Sequence, residues 1–421
     1  MKIYRLRTKL LMMVMIVLII SLTASAMVSA QKIVTFSSHY ASPDERVVIV
    51  KLLNLFETLN PDILVDVSMP AHEEYKANLR MWLTTDNPPD VFSWWAGPRA
   101  FPLVEAGLTM DLTDLWESKG YDNIFSPAWK SLVAYKGETF MIPMMYEWYA
   151  MYYRKSMFET YGLTTPKTWD EFLDVCEKLK AQGITPFTIG TKWLWTTAPW
   201  FDYLLVRSAG PDFYFGLMAG EESYTDPRVA QAFWLWKELI DKGYFLENHA
   251  AYDWAEAVTF MLRDEAAMYA MGNFIVPLAV PDELKPDFDF FQFPIIDPSV
   301  PVVEHAPMEG FLGAANAPHP EEALVLLDFL ASKEAQELFA IEGGRVAPNL
   351  QVPRELYSPH VQKGIELIAS ADALIQFYES DTNPEMASKG MNAFVEFMLN
   401  PDKTGEIMLR LQEAAKEVFG K

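Results

Sequence analysis

Apolar positions recur along this chain in two alternating periods, and their order sets out a series of strands and helices. Ile33 to Phe36 reads as a strand that ends in Ser37-Ser38-His39-Tyr40. Ser42-Pro43-Asp44-Glu45 then offers an N-cap, a proline for the first helical position and a capping-box glutamate. Val47, Val48, Leu52, Leu55, Phe56 and Leu59 continue as an apolar helical face until Pro61 stops it. Ile63 to Val67 is a second strand, a helix with Tyr75, Leu79 and Trp82 follows, and Pro89-Asp90-Val91-Phe92 opens a third strand. This alternation predicts an α/β fold with a parallel sheet covered on both faces. Ligands of such sheets bind beyond the carboxyl ends of the strands. His39 and Tyr40 follow the first strand, and Trp94, Trp95 and Arg99 follow the third, so these are the first candidates for a site.

The middle of the chain is punctuated differently. Phe140 to Met145 reads as a strand interrupted by Pro143, and Ala150 to Tyr153 as another, with Tyr146-Glu147-Trp148-Tyr149 between them. Two strands joined by so short a segment fit one element passing from one sheet to another. A helix then starts at Thr168, with Glu171 at capping-box spacing. Trp169, Phe172, Leu173, Cys176 and Leu179 form its apolar face and Gly183 ends it. Farther on, TKWLWTTAPWFD places Trp193, Trp195 and Trp200 within eight residues, and Trp193 and Trp195 would share one face of an extended chain. Asp226 caps a helix carrying Ala230, Phe233, Trp234 and Leu239, whose apolar residues read as packing.

The N-terminus adds a compartment. Lys2, Arg5, Arg7 and Lys9 precede an apolar run from Leu10 to Leu22, and Val28-Ser29-Ala30 has the small residues of a cleavage site. Residues 1–30 are therefore expected to be a signal peptide cleaved near Ala30, with Ala24-Ser25-Ala26 a second possible site. The run is short for a transmembrane span. No cysteine follows it, which argues against a lipid anchor and for a free protein in a periplasmic compartment. Removal of this segment takes four basic residues and no acid, moving the formal charge from −23 to −27. So acidic a chain argues against nucleic acid and anionic membranes as partners. About 390 residues then remain, more than one core usually serves, so two domains are expected. The single cysteine, Cys176, lies on an apolar helical face and reads as a buried structural thiol.

The stretch from Tyr135 to Pro186, with YKGETF, MIP, YYRKSMFETYGL, TPKTWDEF and KLKAQGITP in order, resembles the extracellular solute-binding proteins of ABC importers. The resemblance is to their sugar-binding, maltose-binding-protein-like branch. Further segments extend the resemblance over nearly all of the chain after the signal peptide: PDVFSWWAGPRAFPLVEAGLTMDL, MLRDEAAMYAMGNFIVP and PMEGFLGAANAPHPEEALVLLDFLASKEAQELFAIEGGRVAP. It implies a type II periplasmic binding protein-like α/β fold: two lobes with mixed sheets and three crossings between them. On this basis the N-terminal lobe is expected over residues 31–145 and 274–317, and the C-terminal lobe over 146–273 and 318–421. The resemblance also implies ligand contact at Trp95, Arg99 and Glu147, the last with Tyr146 and Trp148 as neighbours. Phe274 stands where the family has a cleft tryptophan, beside Asn273. Glu309 precedes the strand of an expected crossing, and Arg345 lies in a loop that can face the cleft. Pro98 stands where the family has an aspartate contact, so the ligand need not be the same sugar. The implied partners are a mono- or oligosaccharide and the membrane permease of an importer, with the protein itself a monomer that holds no cofactor.

The chemistry of these residues suits carbohydrate. Sugar rings lay flat C–H faces on indoles, and their buried hydroxyls need partners such as Glu, Asn, Arg and His. The competing reading is packing: most of thirteen tryptophans must serve the core. Glu147 alone could equally be a surface carboxylate, Arg99 half of a surface ion pair, and His39 structural. The six histidines show no metal-ligand spacing, and no G-x-S-x-G, Walker A or G-x-G-x-x-G motif occurs. A binding protein rather than an enzyme is expected. Another small polar solute such as a peptide, or a secreted carbohydrate-active enzyme, remain the alternatives.

Overall fold

The computed structural model describes residues 31–420. The expected signal peptide lies outside them. In chain order the strands are β1 (Lys32–Ser37), β2 (Ile63–Ser68), β3 (Val91–Trp95), a small hairpin of β4 (Ala134–Tyr135) and β5 (Glu138–Thr139), β6 (Ile142–Tyr146) and β7 (Tyr149–Arg154). There follow β8 (Thr185–Phe187), β9 (Ala266–Gly272), β10 (Phe288–Phe291), β11 (Val303–His305), β12 (Met308–Gly313) and β13 (Ala373–Ile375). They form two main sheets of order β2-β1-β3-β12-β6 and β10-β7-β9-β8, with β11 and β13 paired separately. Both main sheets are mixed. β1 runs parallel to β2 and β3, while β12 lies antiparallel between β3 and β6.

Local chemistry sets the elements as the sequence suggests. Ser42 accepts a hydrogen bond from the Glu45 backbone and Glu45 reaches back, closing the capping box of helix Pro43–Leu59. Thr168 and Glu171 do the same for helix Trp169–Ala181. Cys176 is buried there, and burial pushes its thiol pKa well up, which keeps it protonated and inert. Some faces are turned from the expected ones. In Pro43–Leu59 the buried set is Val48, Ile49, Leu52, Leu53 and Phe56, with Val47 and Leu59 in solvent. In helix Pro227–Asp241, Trp236 is buried and Trp234 is exposed, because Val229, Ala232, Phe233 and Trp236 make the stripe that meets the core.

Each main sheet has its own core. The first includes Val34, Phe36, Phe92, Met145, Phe311 and the helices that carry Leu326, Leu327, Leu330 and Phe339. The second includes Tyr152, Phe187, Trp200, Tyr269, Phe290, Phe293 and Phe394. This membership corrects two expected boundaries. Residues 274 to about 306 stay with the second core, because β10 pairs with β7 and buries Phe288 and Phe290 there. Helices Pro320–Ala331 and Lys333–Gly343 belong to the first core, since their apolar faces cover its sheet. Three chain segments therefore run between the cores: Tyr146 to Tyr149, His305 to Met308, and Gly344 to Ala347. They lie side by side, with Glu147 N–H donating to Pro307 O at 2.9 Å and Tyr146 N–H donating to Val346 O at 2.9 Å.

Candidate functional site

A cavity of about 490 Å³ opens between the two cores, beside these three segments. The first core supplies its polar wall. Strand β1 delivers His39 at its carboxyl end and β3 delivers Trp95, with Glu309 of β12 directly opposite Trp95 in the ladder. Ser93 Oγ lies 2.8 Å from His39 Nδ1, and His39 Nε2 lies 2.8 Å from Glu309 Oε2. Tyr40 donates its hydroxyl to the same Glu309 oxygen at 2.7 Å. Burial, then the Glu309 charge, push the Tyr40 pKa well up, so this phenol stays a donor. The imidazole of His39 stacks on the Trp95 indole at 4.4 Å, and the Arg99 guanidinium covers that indole at 3.9 Å. Held between ring and carboxylate, His39 has little freedom.

The second core supplies an aromatic wall: Tyr149, Trp193, Trp195, Trp254, Phe274 and Phe377. Phe274 is its centre, with Trp254 edge-on at 5.2 Å and Trp195 at 6.2 Å. Gly272 makes this possible. A Cβ there would stand 2.4 Å from the Phe274 ring, so only glycine lets the chain fold the phenyl back onto it. Trp193 is 40% exposed at the rim. The expected extended strand at Trp193 and Trp195 is instead a turn of 3-10 helix, Leu194–Thr197, yet both rings reach the cavity.

Two sets of charges join the walls. Glu379, from the short helix Tyr378–Asp381 of the second core, takes Arg99 Nη2 and Lys76 Nζ at 3.0 Å each on one oxygen. Burial alone would raise the Glu379 pKa, but Arg99 and Lys76 overcome it and hold the group below its ordinary range. Arg345 pairs with Glu147, and its Nη2 reaches Glu45 Oε1 at 3.1 Å. These pairs tie the first crossing to the third and to the first core.

Of the sequence candidates, His39, Tyr40, Trp95, Arg99, Glu147, Trp193, Trp195, Phe274, Glu309 and Arg345 line the cavity. Five do not. Trp94 is buried behind Trp95, with its indole N–H on Arg99 O at 3.4 Å, because successive strand residues face opposite ways. Tyr146 stacks on Trp129 at 4.8 Å. Trp148 is fully buried against Phe290 and Gly364, where a Cβ would meet the indole at 2.4 Å. Trp200 is fully buried among Phe187, Phe245 and Phe293. Asn273 donates to Gly344 O at 3.2 Å, so it holds the third crossing. Tyr149, Trp254, Phe377 and Glu379 also line the cavity and were not among the candidates; Tyr149 adjoins the crossing already singled out, and only long-range folding carries the other three there. Among the described residues no cluster of side chains is suited to a metal ion.

Residues 42–337 match the model of the bacterial extracellular solute-binding protein family. The chain belongs to this family. Similar curated proteins include an uncharacterized ABC transporter extracellular-binding protein of Pyrococcus horikoshii, 28% identical over 76% of this chain and 73% of its own. Another is a probable sugar-binding periplasmic protein of Mesorhizobium japonicum, 26% identical over 63% of this chain and 64% of its own. Among solved structures, the bacterial solute receptor AcbH, described as exclusively preferring β-D-galactopyranose, superposes with a TM-score of 0.88. It is 25% identical, over 92% of this chain and 100% of its own. The two-lobed type II periplasmic binding protein fold, with mixed sheets, is thus the fold of this chain. No helix among the described residues is long and apolar enough to cross a membrane.

Proposed function

We propose that this chain is the substrate-binding subunit of an ABC-type sugar importer, holding a mono- or oligosaccharide between its lobes for delivery to a membrane permease. The observation that carries this reading is the pairing of two unlike walls across one cavity. Rings of Trp195, Trp254, Phe274 and Phe377 offer apolar faces, and Glu147, Glu309, Glu379 and Arg99 offer hydrogen-bonding groups. Sugars are the small solutes that present both C–H faces and a dense set of hydroxyls. The names of the relatives point the same way. His39, Trp95, Arg99, Glu147, Trp193, Trp195, Phe274, Glu309 and Arg345 are the proposed ligand-facing residues, joined by Tyr149, Trp254, Phe377 and Glu379. The protein captures its ligand and does no chemistry on it. Export by the signal peptide would place it outside the cytoplasm.

The test is a thermal-shift screen of the mature protein, purified through unfolding and refolding to strip carried ligand, against saccharides, amino acids and short peptides. A ligand that binds only the folded state stabilises it by about 2.7 kcal/mol at a hundredfold excess over its dissociation constant. A rise in Tm with a saccharide that is recovered unaltered supports the reading. Shifts confined to peptides or amino acids would overturn the sugar assignment, and release of shortened saccharide would overturn the absence of chemistry.

A further inference from the structure

The cavity is uneven in charge. Five carboxylates line it, from Glu45, Glu73, Glu147, Glu309 and Glu379, against the three fixed cations of Lys76, Arg99 and Arg345. The cations are already engaged. Lys76 and Arg99 both sit on Glu379, and Arg345 sits on Glu147 and Glu45. In each of these pairings the closest contact falls on one oxygen of the carboxylate. Glu379 binds both cations through Oε1, and Glu147 binds Arg345 through Oε1. Glu309 receives both Tyr40 and His39 on Oε2.

Among the described residues, the second oxygens of Glu147, Glu309 and Glu379 meet no hydrogen-bond donor. They are also absent from the buried atoms that lack a partner, so they are open to the cavity. Facing these three acceptors are donors without charge, the indole N–H groups of Trp193, Trp195 and Trp254 and the Tyr149 hydroxyl, which make no hydrogen bond among the described residues, while the unpartnered Nη1 of Arg99 is buried. An ionised carboxylate only accepts, so a ligand group that meets one of these three oxygens must donate. A second carboxylate brought among these oxygens would find no free cation and would be repelled at close range.

From this we infer that the cleft selects a ligand rich in hydroxyl or amino donors and without negative charge, and rejects acidic sugars. The inference rests on the sugar-binding reading and narrows it. Neutral saccharides satisfy the three oxygens by donating hydroxyls, and an amino sugar adds a charge-assisted donor for Glu309 or Glu379. Glu309 is the charge that matters most, because no Lys or Arg neutralises it.

Isothermal titration with matched probes tests this: D-galactose against D-galacturonate, D-glucose against D-glucuronate and D-glucosamine, and cellobiose or galactobiose against the corresponding acidic disaccharides. In every pair where the neutral member binds, the acidic member should bind at least tenfold more weakly, a difference of about 1.4 kcal/mol. In Glu309→Gln, which keeps the side-chain shape and drops one charge, the ratio of neutral to acidic affinity should fall severalfold. An acidic sugar that binds as well as its neutral partner would overturn the inference while leaving the sugar-binding reading intact. A ratio unchanged in Glu309→Gln would overturn its electrostatic basis, since exclusion by shape alone would not respond to that charge. If no saccharide binds at all while a peptide or amino acid does, the sugar-binding reading fails, and this inference falls with it.

Discussion

His305 closes β11 at the second crossing and is wholly enclosed, with its ring 4.3 Å from Tyr203 and 5.6 Å from Tyr149. Neither ring nitrogen has a hydrogen bond of acceptable geometry. Burial first, and the nearby Arg207 charge second, push the imidazole down from 6.5 to about 3, against a weak upward pull from the Gln376 backbone. The unfolded chain therefore binds a proton below about pH 6.5 that the folded chain refuses, and stability falls as pH drops from there toward 3. His305→Phe removes the titration without losing a partner. Its melting temperature should match the parent near neutral pH and exceed it increasingly on acidification. The difference at about pH 5 should be on the order of 2 kcal/mol. Parallel melting curves for the two proteins down to that pH would show the site to be otherwise solvated. At this same scale the sequence was partly legible. His39, Trp95 and Glu147, named from strand-end position and resemblance, line the cavity, whereas Trp94, Trp148 and Trp200 were indistinguishable from them until packing showed which way each ring points.

At the scale of elements, strand β12 is the piece on which the first sheet depends, since it lies between β3 and β6 and carries Glu309 into the cavity. Its ladder with β6 shifts register between Glu309 and Gly310, and a Cβ on Gly310 would stand 2.3 Å from Ile142 O, which is backbone and cannot swing aside. Glycine at such a place marks close approach of two backbones. Gly310→Ala should destabilise the protein by about 1–3 kcal/mol, read as a lower urea midpoint. It should also weaken ligand binding, because the displaced strand carries Glu309. An unchanged midpoint would mean that β6 can retreat freely. The elements themselves were legible where caps and periodicity coincide, as in Pro43–Leu59 and Trp169–Ala181. Their allegiance was not. Helices Pro320–Ala331 and Lys333–Gly343 look like any amphipathic pair in sequence, and only the sheet they cover decides their core.

For the whole molecule, the closeness of the two walls implies motion. The cavity is bounded on one side by β1, β3 and β12 and on the other by the aromatic wall, with Glu379 reaching Arg99 and Lys76 between them. The cavity is partly open at its rim, and parting of the walls would widen the way in for a solute that must touch both. The joints available are the three neighbouring crossings. Ligand that touches both walls binds the closed arrangement better and so raises its population, by no more than its difference in affinity for the two. Glu379 contributes to closure without ligand, through a bridge with both cations nearly removed from solvent. Small-angle scattering should show the refolded, ligand-free protein with a larger radius of gyration than the protein saturated with the saccharide that raises its Tm. Glu379→Ala should enlarge the ligand-free radius further, while the far-ultraviolet circular dichroism stays unchanged. Equal radii with and without ligand in both proteins would mean that the walls stay together, and that the solute enters by rearrangement of rim side chains such as Trp193.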